Sequence, residues 1–327
     1  MSFETLKNRH ELLFLYDAKF INPNGDPADE NRPRIDEETE YNIVTDVRLK
    51  RTIRDYLHDF LKKEIFIRQI TATSGEGIQD AKERFNNFLE AFKAKKKMKL
   101  DEIIETGKKE ILNKCIDIRL FGSVIPVEVS KNEKGALVLV GPTQFRMGRS
   151  LHKVDIKYIQ GTGAFASKAG AKQQTFREEY VLPYSMIAFY GLVNENAALD
   201  TLMTDDDMDL LLEGIWLGTK NLISRSKMGQ TPHLLMDVVY NENSYHHGDL
   251  DRLISLECNL DDTAIRDPKE FRIEIGPLVE NLGKVKVKIS RIRLVVSDFL
   301  TYTVDGKEAD IIKSFEAKGI KVEVLNL

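Results

Sequence analysis

Apolar residues run almost unbroken from Leu12 to Tyr16, inside a segment Glu11–Phe20 that ends at the turn-rich Asn22-Pro23-Asn24-Gly25-Asp26-Pro27. A short continuous apolar run closed by turn residues predicts a central strand buried on both faces. At Thr45, an oxygen-bearing N-cap followed by Asp46 in the first turn, the period changes. Leu49, Ile53, Tyr56 and Phe60 recur at helical spacing, predicting an amphipathic helix to about Lys63 with Arg48, Lys50, Arg51 and Arg54 on its other side. Residues Glu76 to Asn113 carry Phe85, Phe88, Leu89 and Phe92 on one helical side and the run Lys93 to Lys99 in the middle, the pattern of an inserted helical hairpin whose lysines form a solvated face.

Strand patterns follow at Ile116–Phe121, Ala136–Val140 and Tyr180–Tyr190, then a helix from Asp205 to Ser224 with Asp205, Asp206 and Asp207 at its positive end, then a strand Pro232–Tyr240. The order strand, helix, strand, strand, helix, strand is that of the ferredoxin-like or RNA-recognition-motif topology, an α+β class. Beyond Asn241 the pattern predicts strands Lys284–Ile289 and Ile292–Val296, a short helix Ala309–Ala317 and a closing strand Lys321–Leu325. No linker or internal repeat is evident, so a single domain with large insertions is expected.

Composition narrows the partners. With 42% hydrophobic and 31% charged residues the 327-residue chain reads as globular. No apolar run reaches the roughly 18 residues of a membrane span, and the polar start Met1 to His10 is unlike a signal peptide, so a cytoplasmic location is expected. Cys115 and Cys258 stand alone, which excludes a disulfide framework and predicts two buried thiols. The net charge of -4 argues against bulk attraction to phosphate. Charge is nevertheless segregated. Asp26 to Glu40 holds seven acids against Arg32 and Arg34, whereas Thr143 to Arg177 holds seven bases against Asp155, which predicts a long functional loop kept for an anionic partner.

Gly161-Thr162-Gly163-Ala164-Phe165-Ala166 matches the dinucleotide fingerprint, but no apolar helix follows it, so it reads as a loop. The six histidines show no zinc spacing and read as surface loop residues. Asp17, Asp26, Asp29, Asp36 and Asp46 suggest a magnesium site, against which capping and turn chemistry is the plainer explanation. No catalytic residue, metal or cofactor is assigned. The basic clusters carry more: Arg48 to Arg54, the stretch Gly141–Ser150 with Gln144, Arg146 and Arg149 around Phe145, and Lys220, Arg225 and Lys227 after the second helix, where a cationic C-cap is the plain alternative.

Asn22-Pro23-Asn24-Gly25-Asp26-Pro27, Asn31-Arg32-Pro33-Arg34-Ile35-Asp36 and Val44 to Tyr56 together resemble the N-terminal signature of the Cas-seven family, the backbone subunits of type I CRISPR Cascade complexes. Asp117 to Gly122, Gly141 to Ser150, Val181 to Tyr184 and Gly218 to Asn221 are similar to later blocks, with subtype I-B nearest. The resemblance implies a right-hand shape: a modified RNA-recognition-motif palm at about 10–63, 116–142 and 180–327, a helical insertion at about 64–115 and a thumb-like loop at about 150–178. It also implies a non-catalytic subunit whose copies stack along crRNA beside other Cascade subunits and meet target DNA through the guide, with no membrane and no cofactor. Carried over, the guide-binding candidates are Asn22, Asn24, Arg48, Lys50, Arg51, Arg54, Gln144, Arg146, Arg149, Lys220, Arg225 and Lys227. The thumb candidates are Lys153, Lys168, Lys172 and Phe176. Glu37, Glu38 and Glu40 are expected to mate with a basic face of the next copy. The rival reading is an RNA endonuclease using Asp26 or His152, since related type III subunits cleave RNA with an aspartate.

Overall fold

The computed structural model describes residues 4–71, 77–93, 98–130, 132–166 and 174–327, with side chains described except at 93, 162–166 and 174–177. The first strand, His10–Ile21, lies in the middle of a sheet of ten strands among the described residues. The sheet path runs Val322–Val324, Ile289–Val296, Gln230–Tyr240, His10–Ile21, Gln174–Val193, Gly148–Lys153, Tyr41–Val44 and Ile35–Asp36. Neighbours along it are antiparallel except Ile289–Val296 with Val322–Val324.

Pleating explains the unbroken apolar run, because successive side chains face opposite sides. Leu12, Phe14, Tyr16 and Ala18 enter a core beneath α1 (Asp46–Asp59) and α6 (Asp205–Lys220), with Leu49, Ile53, Leu211 and Ile215. Leu13 and Leu15 enter a second core on the opposite face, capped by Leu250, Phe271, Leu278, Tyr302 and Phe315 of the C-terminal third. Buried polar groups pin that cap. Glu11, wholly buried, accepts from Tyr190 Oη at 2.6 Å, Tyr240 Oη at 2.5 Å and the N–H groups of His247 and Gly248 at 3.1 and 2.7 Å.

A third core belongs to the insertion. α2 (Ala81–Lys93) and α3 (Leu100–Lys114) pack through Phe85, Leu89, Ile103 and Ile111 against Ile125, Val127, Leu137 and Leu139 of a separate hairpin, Gly122–Ser130 with Glu133–Val140. The expected strand Ala136–Val140 therefore exists but lies outside the large sheet.

Several expectations need correction. Ile116–Phe121 is a helix, α4, started by Cys115 and closed by Gly122 at φ 66°. It is fixed by the buried Asp117, whose carboxylate accepts the N–H groups of Phe66 and Ile67 at 2.8 and 3.0 Å. Lys284–Ile289 is not a strand: the segment spans the end of α7 (Gly276–Lys284) and a short 3-10 turn, and the strand starts at Ile289. Phe60 caps α1 rather than joining its buried stripe and is exposed, stacked 5.1 Å from Tyr56. The basic stretch from Thr143 is largely strand, as Thr143–Phe145, Gly148–Lys153 and Lys157–Ala166, and the Gly161–Ala166 fingerprint lies in the last of these, not in a loop. That strand forms a long hairpin with Gln174–Val193. His10, His152 and His233 are core residues, His10 Nδ1 lying 2.9 Å from Asp237 and His233 Nε2 lying 3.1 Å from Asp17. Cys115 is buried, but Cys258 only half so. α5 (Glu195–Thr201) and the sheet from Ser255 to Ala309 carry too few periodic positions to stand out in the sequence. The expected short helix near the C-terminus is α8, Ile311–Ala317.

Candidate nucleic-acid interface

The polar turn after the first strand builds the start of α1. Asn24 Oδ1 accepts from the Thr45 N–H at 2.9 Å and the Thr45 hydroxyl at 2.8 Å, and Thr45 Oγ1 in turn accepts the Arg48 N–H at 3.4 Å. Asn24 thus orients the helix end that carries Arg48. The Arg48 guanidinium is half-buried; it donates to Thr52 Oγ1 at 3.0 Å, and its Nε has no partner among the described residues. Burial pushes it below its ordinary value, an effect Asp55 opposes and the like charge of Arg51 deepens.

A second cation arrives from the loop after α6. Ser226 accepts the Asn22 N–H at 3.2 Å and Gly229 accepts the Lys19 N–H at 3.0 Å, stitching this loop to the end of the first strand. Lys227 is thereby held with its ammonium on the Asn22 carbonyl. Burial, then the neighbouring Arg48, pushes the Lys227 ammonium down to about 8. Neither cation has a carboxylate within ion-pair distance among the described residues. Two half-buried positive charges without an acid are unfavourable in isolation and ready for an anion.

Most other candidates are neutralised within the chain. Arg54 pairs at 3.1 Å with Asp117 and lies over Phe121 at 5.0 Å, so it points toward the core instead of outward. Arg51 meets Asp55 at 2.6 Å. Lys50 reaches Asp46 at 3.0 Å and Gln144 Oε1 at 3.3 Å, and Gln144 Nε2 donates to the Gly141 carbonyl at 2.9 Å. Arg146 contacts Asp249 and stacks on Tyr190 at 4.4 Å. Arg149 lies 3.4 Å from Asp36, Lys153 2.9 Å from Glu40 and Arg225 3.3 Å from Glu179. Lys220 is exposed at the end of α6. Lys168, Lys172 and the side chain of Phe176 lie outside the described residues.

The acidic and basic stretches, far apart in sequence, meet because Tyr41–Val44 pairs with Gly148–Lys153. Glu40 is therefore not free for a neighbour, whereas Glu37 and Glu38 are exposed. Among the five early aspartates, Asp26 accepts from Arg34 at 2.7 Å and from the Ala28 N–H at 3.0 Å, a turn arrangement. Among the described residues no three His, Cys, Asp or Glu side chains converge as metal ligands. Of the candidates, then, the fold brings together Asn22, Asn24, Arg48 and Lys227. The proximity of Arg48 to Lys227 was invisible in sequence because α2 to α6 and the strands among them lie between the two.

The sheet is covered on both faces, and the two cations without a carboxylate among the described residues gather at the end of its central strand. The profile described as "CRISPR-associated protein Cas7" matches residues 8–276. A "CRISPR-associated protein Cas7" of Haloferax volcanii is 33% identical over 308 residues, covering 89% of this chain and 87% of the relative. The chain belongs to the Cas7 family, the Cas-seven family of the motif comparison. Its fold is similar to a chain of a "CRISPR RNA-guided surveillance complex, pre-nicking", with a TM-score of 0.55 at 13% identity over 95% of this chain and 99% of that one. A chain of a "CRISPR RNA-guided surveillance complex" gives 0.50 at 12% identity over 89% of each.

Proposed function

We propose that the chain is a non-catalytic, crRNA-binding backbone subunit of a type I Cascade surveillance complex, of subtype I-B, with copies stacked along the guide and target DNA met through guide pairing. The observation that carries this reading is the half-buried Arg48 and Lys227 beside Asn22, cations with no acid within ion-pair distance among the described residues. A phosphodiester supplies the missing charge and the acceptors, and it does so whatever the base. A backbone grip of this kind leaves sequence recognition to base pairing.

The fold supports the same reading. In this reading Gln230–Tyr240, His10–Ile21, Gln174–Val193 and Gly148–Lys153, adjacent in that order in the sheet, correspond to the fourth, first, third and second strands of an RNA-recognition-motif palm, with α1 and α6 as its helices. The cores on both faces cover the sheet where bases would spread, which supports a guide path along the strand ends. The hairpin of Lys157–Ala166 with the part of Gln174–Val193 up to Val181 is the thumb in this reading, and the helical insertion of about 64–115, packed on the separate hairpin that follows it, forms the fingers. Asp26, held by Arg34 in a turn, supports a structural role over RNA cleavage.

The test is titration of the full chain onto single-stranded RNA across a salt series with magnesium present. Binding that falls steeply with salt, with intact RNA, is expected, and Arg48→Ala or Lys227→Ala each lower the slope by about 0.7 per lost phosphate contact. Cleaved RNA would instead establish the endonuclease reading, and salt-independent binding would remove the phosphate grip.

A further inference from the structure

Lys227 is fixed at both ends. Its backbone sits in a turn where the Lys227 and Met228 N–H groups both donate to the Ser224 carbonyl, at 3.1 and 2.8 Å. The bonds from Asn22 to Ser226 and from Lys19 to Gly229 clamp that turn on either side. Its ammonium donates to the Asn22 carbonyl, and Asn22 is itself held, its Nδ2 donating to the Asn31 carbonyl at 2.6 Å. The turn is still open to small molecules: Lys227 is half-buried rather than sealed, and Ser226 and Met228 beside it are exposed.

The surroundings select against the charged form of this amine. Burial and the neighbouring Arg48 push it down to about 8, and desolvation and a nearby cation are the two devices that make a lysine nucleophilic near neutral pH. The unprotonated fraction at pH 7 is then more than about a hundredfold that of an ordinary lysine. An unprotonated amine donates one hydrogen to the Asn22 carbonyl and keeps its lone pair free. What the site lacks is negative charge, since neither Lys227 nor Arg48 has a carboxylate within ion-pair distance among the described residues.

Carbon dioxide reaches a half-buried amine uncharged and leaves the missing charge behind. The nitrogen lone pair forms the C–N bond, one C=O electron pair moves onto oxygen and a proton passes to water, so the cation becomes a carbamate. We propose that Lys227 is a reversible carbamylation site for carbon dioxide, its carbamate pairing with the Arg48 guanidinium and its remaining N–H kept on the Asn22 carbonyl. An acyl donor would instead give a neutral amide and leave Arg48 without an acid. The regulatory consequence rests on the reading that RNA phosphates lie at Arg48 and Lys227. The carbamate meets the same charge deficit from within the chain, so RNA and carbon dioxide oppose each other, each weakening the other by the same factor.

The full chain is equilibrated with isotope-labelled carbon dioxide at constant pH and ionic strength, the carbamate is alkylated with a trialkyloxonium salt, and its position is read by peptide mass spectrometry. Label is expected on Lys227 at least about tenfold above the exposed Lys63 and Lys220. Excess single-stranded RNA should displace it, and Arg48→Gln should lower it about tenfold, the size of one charge-assisted contact. Carbon dioxide should in turn weaken RNA binding by the wild type about tenfold, reversibly on degassing, whereas Lys227→Arg, whose guanidinium forms no carbamate, loses that response whatever its own affinity. Label absent from Lys227, or spread evenly over the three lysines, overturns the proposal. So does an equal response of Lys227→Arg, which would mean bicarbonate competing as a simple anion. If Lys227 carries the label and RNA binding does not respond, the carbamate stands and the RNA grip at Lys227 is wrong.

Discussion

Lys227 offers the sharpest quantitative test of the interface. Its ammonium is held down to about 8 from an ordinary value of 10.5, by burial first and Arg48 second. At 1.36 kcal/mol per unit the charged form costs the free protein about 3 kcal/mol, or roughly 2 kcal/mol after discounting for partial exposure. The sign follows from proton linkage: the folded chain binds fewer protons than the unfolded chain between pH 8 and 10.5. The penalty is therefore complete below pH 8 and is relieved as pH rises through that window. Lys227→Met removes the charge and keeps the stem, at the loss of one hydrogen bond to the Asn22 carbonyl worth about 1 kcal/mol. At neutral pH the variant should gain on the order of 1 kcal/mol of stability, a rise of roughly 1–2 °C in Tm, and the gain should shrink as pH approaches 10. RNA reverses the sign. A phosphate beside Lys227 restores the proton, so wild-type affinity should fall up to tenfold per pH unit above 8, while Lys227→Arg, charged throughout, gives a flat profile. Fluorescence anisotropy between pH 7 and 9 reads this directly. A flat wild-type profile, or a Lys227→Met variant less stable than the wild type at pH 7, refutes the reasoning.

Three further outcomes are expected. Asp117→Ala strands Arg54 and frees the Phe66 and Ile67 N–H groups, so denaturant titration should show a loss of about 3–5 kcal/mol. Glu11→Ala leaves two tyrosine hydroxyls and two backbone N–H groups without their acceptor, and a loss of several kcal/mol with increased binding of a hydrophobic dye should follow as the C-terminal cap loosens. Reversing Glu37 and Glu38 to lysine should weaken assembly of copies on RNA, seen by analytical ultracentrifugation, and leave the affinity of a single copy for short RNA unchanged or raised; unchanged assembly removes these acids from the contact between copies.

The central strand, α1 and α6 were legible because their burial writes a clean period into the sequence. Where packing is set by distant residues the period misleads. Ile116–Phe121 has the apolar density of a strand, and only the capture of Asp117 by residues fifty positions earlier makes it a helix. Lys284 to Ile289 alternates lysine with valine and isoleucine like a half-buried strand, yet Val287 is among the most exposed residues and the alternation merely straddles a helix end and a turn. The basic stretch looked like a free loop because the acids that neutralise Arg149 and Lys153 lie more than a hundred residues upstream. Residue types at the interface were readable, but which cations lack a partner is a property of the fold: Arg54 and Arg48 share one helix, and only Arg54 meets an acid buried beneath it.

The central sheet acts as a party wall. Because alternate residues of the first strand hold up both adjoining cores, neither side can come away without exposing the other, and the sheet with its two coverings should open as one unit. The helices α2 and α3, with their own core, share no such wall; they reach the rest through α4, whose Ile116, Leu120 and Phe121 enter the core beneath α1 and α6 and whose Asp117 and Arg119 pair with Arg54 and Asp207. Amide exchange should accordingly separate into two classes, with α2, α3 and their hairpin opening at lower free energy than the strands that carry the grip. The helical insertion can then loosen while the strands and helices around Arg48 and Lys227 stay closed.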